Sequence, residues 1–340
     1  MEVKRCSLRK SLSSRHSRST NELESDDDAG PTNLDSIEPG LWLGNLTAAM
    51  DLDMLEDRKI NYILTVDSCP LPRNILSIPS IKTMYVQVTD IPCEDLLSHF
   101  EDTYKFISEG QTNGVVLVHC YFGVSRSATI VIAYFMKKYQ MPFNEAFEMV
   151  KKQRRFVGPN KGFEAQLKLY ERMSYQIDRS NAQFRMYRLA IAADKVRKVK
   201  ILPQDCLDVV KPDPALITVK PDPLVYRCRK CRRIVALASN IVPHVAREKP
   251  SWKTENWPPI DPGKSLCNLT YFVEPMTWMK PALHSEQGKI YCPKCDSKIG
   301  SFSWIMGCQC PCGAKVSPAF YLAPSKVEWS NFVQNVQVTV

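Results

Sequence analysis

Apolar positions along residues 36–176 fall into runs of two lengths, and length separates the elements they predict. Asn61–Val66 and Val115–Val118 are short, rich in β-branched residues and nearly continuous, the pattern of strands buried on both faces. Met84–Val88 reads as a further strand. Ala128–Met136 is equally apolar but too long for a strand, so it predicts a buried helix. Phe143–Phe156 has helical spacing with one polar face, on which Lys151, Lys152, Arg154 and Arg155 read as solvated charges. Asn160 precedes a closing helix over 160–167 as its N-cap. Strands alternating with helices predict an α/β domain, a central sheet flanked by helices.

Polar segments bound that domain. Residues 1–35 mix Ser with Arg and Lys, then turn acidic at Glu22, Glu24, Asp26, Asp27 and Asp28, which predicts a disordered, solubilising tail. Residues 177–224 carry a basic patch, Lys195–Lys200, and two copies of Val-Lys-Pro-Asp-Pro, at 210–214 and 219–223. Proline at that density predicts a stiffened linker. From 225 onward hydrophobic runs become sparse and cysteines frequent, so a small, largely β or irregular module is expected over 225–323, with a tail over 324–340.

Candidate chemistry is densest between Val115 and Ser127. A loop there joins the buried strand to the buried helix. Its amides stand at a helix N-terminus, where unpaired N–H groups favour both a bound phosphate and a thiolate at Cys120. Arg126 adds a planar fork that takes two phosphate oxygens at once. Gly123 permits a tight turn with amides exposed, and Ser127 is placed to donate to the Cys120 sulfur. The pattern predicts a cysteine-based phosphatase whose phosphate-binding loop is Tyr121, Phe122, Gly123, Val124, Ser125 and Arg126. Such an enzyme also needs a general acid. Asp90, in a loop after Met84–Val88, is the candidate; an ordinary capping or loop role is the alternative its local sequence leaves open.

His119-Cys120-x-x-Gly123-x-Ser125-Arg126-Ser127 resembles the signature of the dual-specificity protein phosphatases. Ile37–Asn45 is similar to that family's opening strand, and Asp90-Ile91-Pro92-Cys93-Glu94-Asp95-Leu96-Leu97 to its acid-bearing loop. The resemblance implies a cysteine-phosphatase fold over 36–176. It implies Cys120 as nucleophile, Arg126 as phosphate clamp, Asp90 as acid and then base, and Ser127 as an aid to thiolate departure. Glu94 and Asp95 are then structural, and no metal is needed for catalysis. Phe122 stands where the family usually has alanine. So short a domain has little room for pocket-deepening loops, and a shallow site open to phosphoserine, phosphothreonine and phosphotyrosine is expected. The loop holds no lysine, which favours phosphoproteins over inositol phosphates.

Cys228-x-x-Cys231 and Cys292-x-x-Cys295 each bring two thiolates within reach of one ion. With His244, Cys267, Cys310 and Cys312 they make eight positions, enough for two closed tetrahedral zinc sites. Sequential filling puts Cys228, Cys231, His244 and Cys267 on one ion and Cys292, Cys295, Cys310 and Cys312 on the other. Interleaving is the alternative, and His284 and Cys308 compete as ligands. With every position filled the zinc is structural, and it supplies much of the module's folding free energy. Thirteen cysteines, an odd number gathered largely in close pairs, indicate reducing conditions rather than disulfides.

Within 340 residues, 44% of them hydrophobic, no apolar run reaches a membrane span and the N-terminus lacks the apolar core of a secretion signal, so a soluble intracellular protein is expected. Tyr226–Arg233, Tyr271–Met279 and Gly300–Trp304 resemble the zinc module of Yvh1-type dual-specificity phosphatases, a family associated with maturation of the large ribosomal subunit. That resemblance implies phosphorylated proteins and pre-60S ribosomal particles, met through protein or RNA, as partners. It also implies residence in cytoplasm and nucleus. A net charge of +9 is compatible with such partners. Trp278, Trp304 and Phe320 read first as packing residues and second as a binding surface. The competing reading is a ribosome-assembly binding factor whose phosphatase activity is dispensable.

Overall fold

The computed structural model describes residues 32–216, 222–246 and 267–331. Almost all of the expected N-terminal tail, most of the second Val-Lys-Pro-Asp-Pro copy and residues 332–340 lie outside the described residues.

The first half is built on a five-stranded sheet of β1 (Leu34–Glu38), β2 (Leu41–Gly44), β3 (Tyr62–Asp67), β4 (Lys82–Gln87) and β5 (Val116–His119), in the order β1-β2-β5-β3-β4. β1 and β2 are antiparallel, and the other three pairings are parallel. Every residue of β3 and β5 is buried, as helices on both faces of a parallel sheet require. Alternate side chains go to opposite faces. Ile63 and Leu117 join a small core with α1 (Leu46–Met50), α2 (Leu52–Asp57) and α3 (Arg73–Leu76). Leu64 and Val118 join the main core with α4 (Phe100–Asn113), α5 (Arg126–Tyr139), α6 (Phe143–Gln153) and α7 (Lys161–Arg172). The expected buried helix is α5, which is buried continuously from Arg126 to Met136. Leu34 and Asp35, assigned to the tail, belong to β1. The expected single opening strand is a hairpin, because Gly40 turns the chain at φ +77°.

The linker expectation fails over most of its length. Residues 182–199 form α8 (Ala182–Val199), with Asn181 accepting at its N-cap from Gln183 N and Phe184 N. Phe184, Tyr187 and Ile191 enter the main core. Leu189, Ala192, Ala193 and Val196 enter a separate core in the second half. Burial on nearly all sides removes the polar stripe by which a surface helix is recognised. The basic patch at its end is largely paired, with Lys195 on Asp205 and Lys200 on Glu286. Even the first Pro-Asp-Pro copy is docked, since Lys211 N donates to Pro275 O and Thr277 N to Lys211 O.

Beyond it lie β6 (Leu224–Cys228), β7 (Ile234–Leu237), β8 (Tyr271–Phe272), α9 (Pro281–His284), β9 (Gln287–Tyr291) and β10 (Lys298–Ser303). β11 (Cys308–Gln309), β12 (Lys315–Val316), β13 (Ala319–Leu322) and β14 (Val327–Asn331) follow. They form three small sheets, β14-β6-β7, β8-β13-β10-β9 and β11-β12. β14 occupies part of the expected C-terminal tail; it pairs antiparallel along β6 and completes that sheet. Trp304 and Phe320 are fully buried and meet edge to face at 4.7 Å, with Trp304 Nε1 donating to Ala282 O, so these two are packing residues. Among the described residues no helix is long and apolar enough to cross a membrane.

Candidate active site and metal centres

In a parallel sheet the strands deliver their C-terminal ends to one edge, and that edge is where open α/β folds place their chemistry. Here β5 ends at His119 and Cys120 follows at once, buried to 1% exposure. The chain then turns through Tyr121–Ser125 into α5, whose N-cap residue Ser125 makes no side-chain cap to the helix. Its first-turn amides are therefore free of a side-chain competitor. Gly123 N and Ser127 Oγ both donate to the Cys120 sulfur, at 3.2 and 3.1 Å. Gly123 has φ +68°, and a Cβ there would lie 2.4 Å from Gly44 O, so the loop closes down on the end of β2 only with glycine. Tyr121 and Phe122 stand on the rim, 54% and 67% exposed, their rings edge to face at 4.8 Å. His119 is internal, with Nε2 2.8 Å from Thr65 Oγ1, and burial lowers its pKa to about 4, so it is a neutral spacer at the strand end.

Two acids converge on Arg126. Asp67, the last residue of β3, binds its Nη1 at 2.6 Å in a pair with both side chains nearly buried. Val88 O accepts from the same nitrogen at 3.3 Å. Arg126 Nε is left buried without a hydrogen-bond partner, 4.0 Å from Asp90 Oδ2. Asp90 Oδ1 accepts from Ser125 Oγ at 2.7 Å and from Asn160 Nδ2 at 2.8 Å, so its other oxygen, Oδ2, is the one turned to Arg126. Asn160 is also the expected N-cap, its Oδ1 accepting from Phe163 N. One residue thus starts α7 and holds Asp90.

Arg154 corrects the sequence reading. It is not on the solvated face of the amphipathic helix, because α6 stops at Gln153 and Arg154 turns inward with extended backbone to 1% exposure. Its Nε donates to Gly123 O at 2.8 Å, Nη2 to Phe122 O at 3.4 Å and Nη1 to Asp35 at 2.5 Å. A buried guanidinium thus fastens the Cys120 loop to β1. Lys151, Lys152 and Arg155 are exposed, as expected of a solvated face. Asp67 and Arg154 were missed as site residues. An acid ending the apolar run Tyr62–Val66 was the available signal for Asp67; nothing in local sequence separated Arg154 from Arg155.

All eight expected metal-binding positions gather into two groups, but not in the sequential pairing. Cys228, Cys231, Cys292 and Cys295 form one, and His244, Cys267, Cys310 and Cys312 the other, with ligand atoms in each group within 4.8 Å of one another. The interleaved arrangement is the one the chain adopts, because the two Cys-x-x-Cys turns are built alike. In each, the first cysteine's N donates to the oxygen five residues on, and its oxygen accepts from the N four residues on. That fourth residue, Arg232 or Asp296, has positive φ. His284 and Cys308 belong to neither group.

These donors fit a tetrahedral soft-metal ion. Sulfur separations of 3.8 Å (Cys228–Cys295), 3.5 Å (Cys231–Cys292) and 3.7 Å (Cys267–Cys310) are far too long for disulfides. They match the edge of about 3.8 Å that four sulfurs at roughly 2.3 Å from one zinc would share. His244 Nε2 is buried without a hydrogen-bond partner, and burial lowers its pKa, leaving the neutral imidazole that a metal requires. Burial pushes the Cys292 thiol up to about 12, whereas the Ser297 hydroxyl and N–H bring Cys295 down to about 6.

Comparison with known proteins agrees with this architecture. The family described as "Dual specificity phosphatase, catalytic domain" matches residues 41–173. Dual specificity protein phosphatase MPK-4 of Drosophila melanogaster is 43% identical, across 93% of this chain and 92% of its own length. Human dual specificity protein phosphatase 12 is 36% identical, across 86% and 87%. The tyrosine-protein phosphatase yvh1 of Schizosaccharomyces pombe is 31% identical, across 87% and 84%. Identity at this level over most of both chains, around a catalytic-domain match on the part that carries Cys120 and Arg126, means that the chain belongs to the dual specificity protein phosphatases, in the group of phosphatase 12 and Yvh1.

Proposed function

We propose that this dual specificity phosphatase hydrolyses phosphotyrosine, phosphoserine and phosphothreonine in proteins through a phosphocysteine intermediate. The observation that carries the reading is the Cys120 sulfur, with Gly123 and Ser127 donating to it just before a helix whose N-terminus has no side-chain cap and whose first residue, Arg126, keeps Nε free of hydrogen bonds. Cys120 attacks phosphorus as the ester oxygen departs. Arg126 and the amides of Tyr121, Phe122, Gly123, Val124 and Ser125 hold the three equatorial oxygens. Asp90 gives its proton to the leaving oxygen, then takes one from the water that attacks the phosphocysteine. Ser127 donates to the sulfur and eases its departure.

The test is the leaving group. Asp90→Asn is expected to lower kcat by about 100-fold or more on phosphotyrosine peptides, and far less on an aryl phosphate whose activated phenol needs no proton. Equal losses on both would remove Asp90 from the acid role.

The two Cys/His groups are proposed to hold two structural zinc ions, which bound would tie together chain segments far apart in sequence. Catalysis is routed through neither. Resemblance of the cysteine-rich module to that of Yvh1-type phosphatases supports a second role, in cytoplasm and nucleus, in binding precursors of the large ribosomal subunit. In cells lacking the protein, Cys120→Ser should then still restore large-subunit maturation, and a variant with both Cys292 and Cys295 replaced by serine should not. The reverse pattern would assign the cellular role to dephosphorylation.

A further inference from the structure

The loop that carries Asp90 has no regular secondary structure between Asp90 and Leu96, so its position is set by what grips it. One grip comes from α7. Gln166, 2% exposed, accepts at Oε1 from Leu96 N and Leu97 N and donates from Nε2 to Glu94 O, all within 2.9 Å. Gly162 lets α7 lie directly on the loop, since a Cβ there would be 1.9 Å from Pro92 O.

The second grip comes from α8. Asp95 Oδ1 accepts from Tyr187 OH at 2.8 Å and from Ser98 N at 3.1 Å, while Oδ2 accepts from Arg188 Nη1. Both side chains of the Asp95–Arg188 pair are nearly buried. The same guanidinium continues outward, its Nε and Nη2 donating to the two oxygens of Asp208 at 3.0 and 2.8 Å. One turn earlier, Arg185 donates to Glu274 Oε2 at 2.7 Å and to Ile241 O at 3.1 Å, both in the cysteine-rich half. Planar, multiply bonded guanidinium pairs of this kind fix orientation as well as distance.

We propose that Tyr187 and Arg188 are positioning residues for the general acid: acting through Asp95, they hold the Asp90 loop against Ser125 and Asn160, and α8 thereby makes the acid's position depend on the cysteine-rich half of the chain. Without Arg188 the buried Asp95 carboxylate loses its counter-charge and moves toward water. Asp90 is only five residues away along an irregular backbone and moves with it. A shift of about 1 Å in a catalytic group costs as much as about 100-fold in rate. Residues that bind phosphate, Arg126 and the loop amides, are held by other contacts, Asp67 and Arg154 among them. The substitution therefore acts on proton transfer and spares substrate binding.

The proposal rests on Asp90 as the acid, and its test separates the two ideas. In the full chain, Tyr187→Phe and Arg188→Ala are measured on a phosphotyrosine peptide and on an aryl phosphate with an activated phenol. kcat on the peptide is expected to fall about tenfold for Arg188→Ala and less for Tyr187→Phe, with KM unchanged and the activated substrate affected less than about twofold. Placed in an Asp90→Asn background, neither substitution should lower peptide turnover further, since both act on a proton transfer already lost. Equal losses on both substrates, additive losses in that background, or no loss at all would overturn the proposal. Should Arg188→Ala unfold the chain, Tyr187→Phe, which deletes one hydroxyl, decides it by the same criteria. A wrong assignment of Asp90 shows itself separately, as an Asp90→Asn variant indifferent to the leaving group.

Discussion

Cys120→Ser is expected to lower kcat roughly 10^4–10^6-fold, about 5–8 kcal/mol of barrier, while leaving the affinity for tungstate or phosphate nearly unchanged. A serine hydroxyl in this place stays protonated, and the donors that favour a sulfur anion, Gly123 N and Ser127 Oγ, have only a neutral oxygen to address. The phosphate cradle does not depend on sulfur. Arg126 is fixed by Asp67, and the loop backbone by Arg154 and by the approach of Gly123 to Gly44 O. Single-turnover assays with titration of tungstate measure both halves of the expectation. Comparable turnover by the variant would dismiss the phosphocysteine route, and lost tungstate binding in a folded variant would dismiss the view that the loop is held independently of the thiol.

That cradle was partly legible in the chain because its chemistry is local. A strand, a six-residue turn and a buried helix lie within one short stretch, and the run lengths of Val115–Val118 and Ala128–Met136 suffice to tell the elements apart. Asp67 showed only as an acid ending an apolar run and Arg154 by no local signal, since their partners lie far along the chain: Arg126 for one, Gly123 and Asp35 for the other. An arginine beside a second arginine after an amphipathic helix looks the same in sequence whether it turns inward or outward. α8 escaped for a different reason. Prolines from 203 onward mark breaks correctly, but residues 182–199 sit between two cores, so apolar and small residues occur around the whole helix and no helical stripe stands out.

The metal-binding module shows the complementary case, in which residue types were legible and pairing was not. Eight ligand positions follow from counting, whereas their division between two ions depends on which turns face each other across β6, β9 and β10. Like turns pair with like: the two Cys-x-x-Cys knuckles close one group, and the Cys-x-Cys hairpin joins His244 and Cys267 in the other. Each group draws its donors from both ends of the module, so each closes a loop of chain that sequential filling would leave open.

Removing metal is accordingly expected to unfold the whole cysteine-rich half rather than one end of it. Structural zinc in small modules contributes an apparent 10–16 kcal/mol or so near neutral pH, more than a typical domain's net stability. Metal analysis of the full chain should give two zinc ions, and a strong chelator should release both with loss of the near-ultraviolet signal of the buried Trp304. The sheet of β1–β5 holds no such group among the described residues and should keep its fold. Paired substitutions then read the connectivity. A chain carrying Cys228→Ser and Cys292→Ser damages one group twice and is expected to retain one ion, whereas Cys228→Ser with Cys267→Ser damages both and retains none. The opposite result, with the Cys228 and Cys267 variant keeping an ion and the Cys228 and Cys292 variant keeping none, would restore the sequential pairing and overturn the interleaved one.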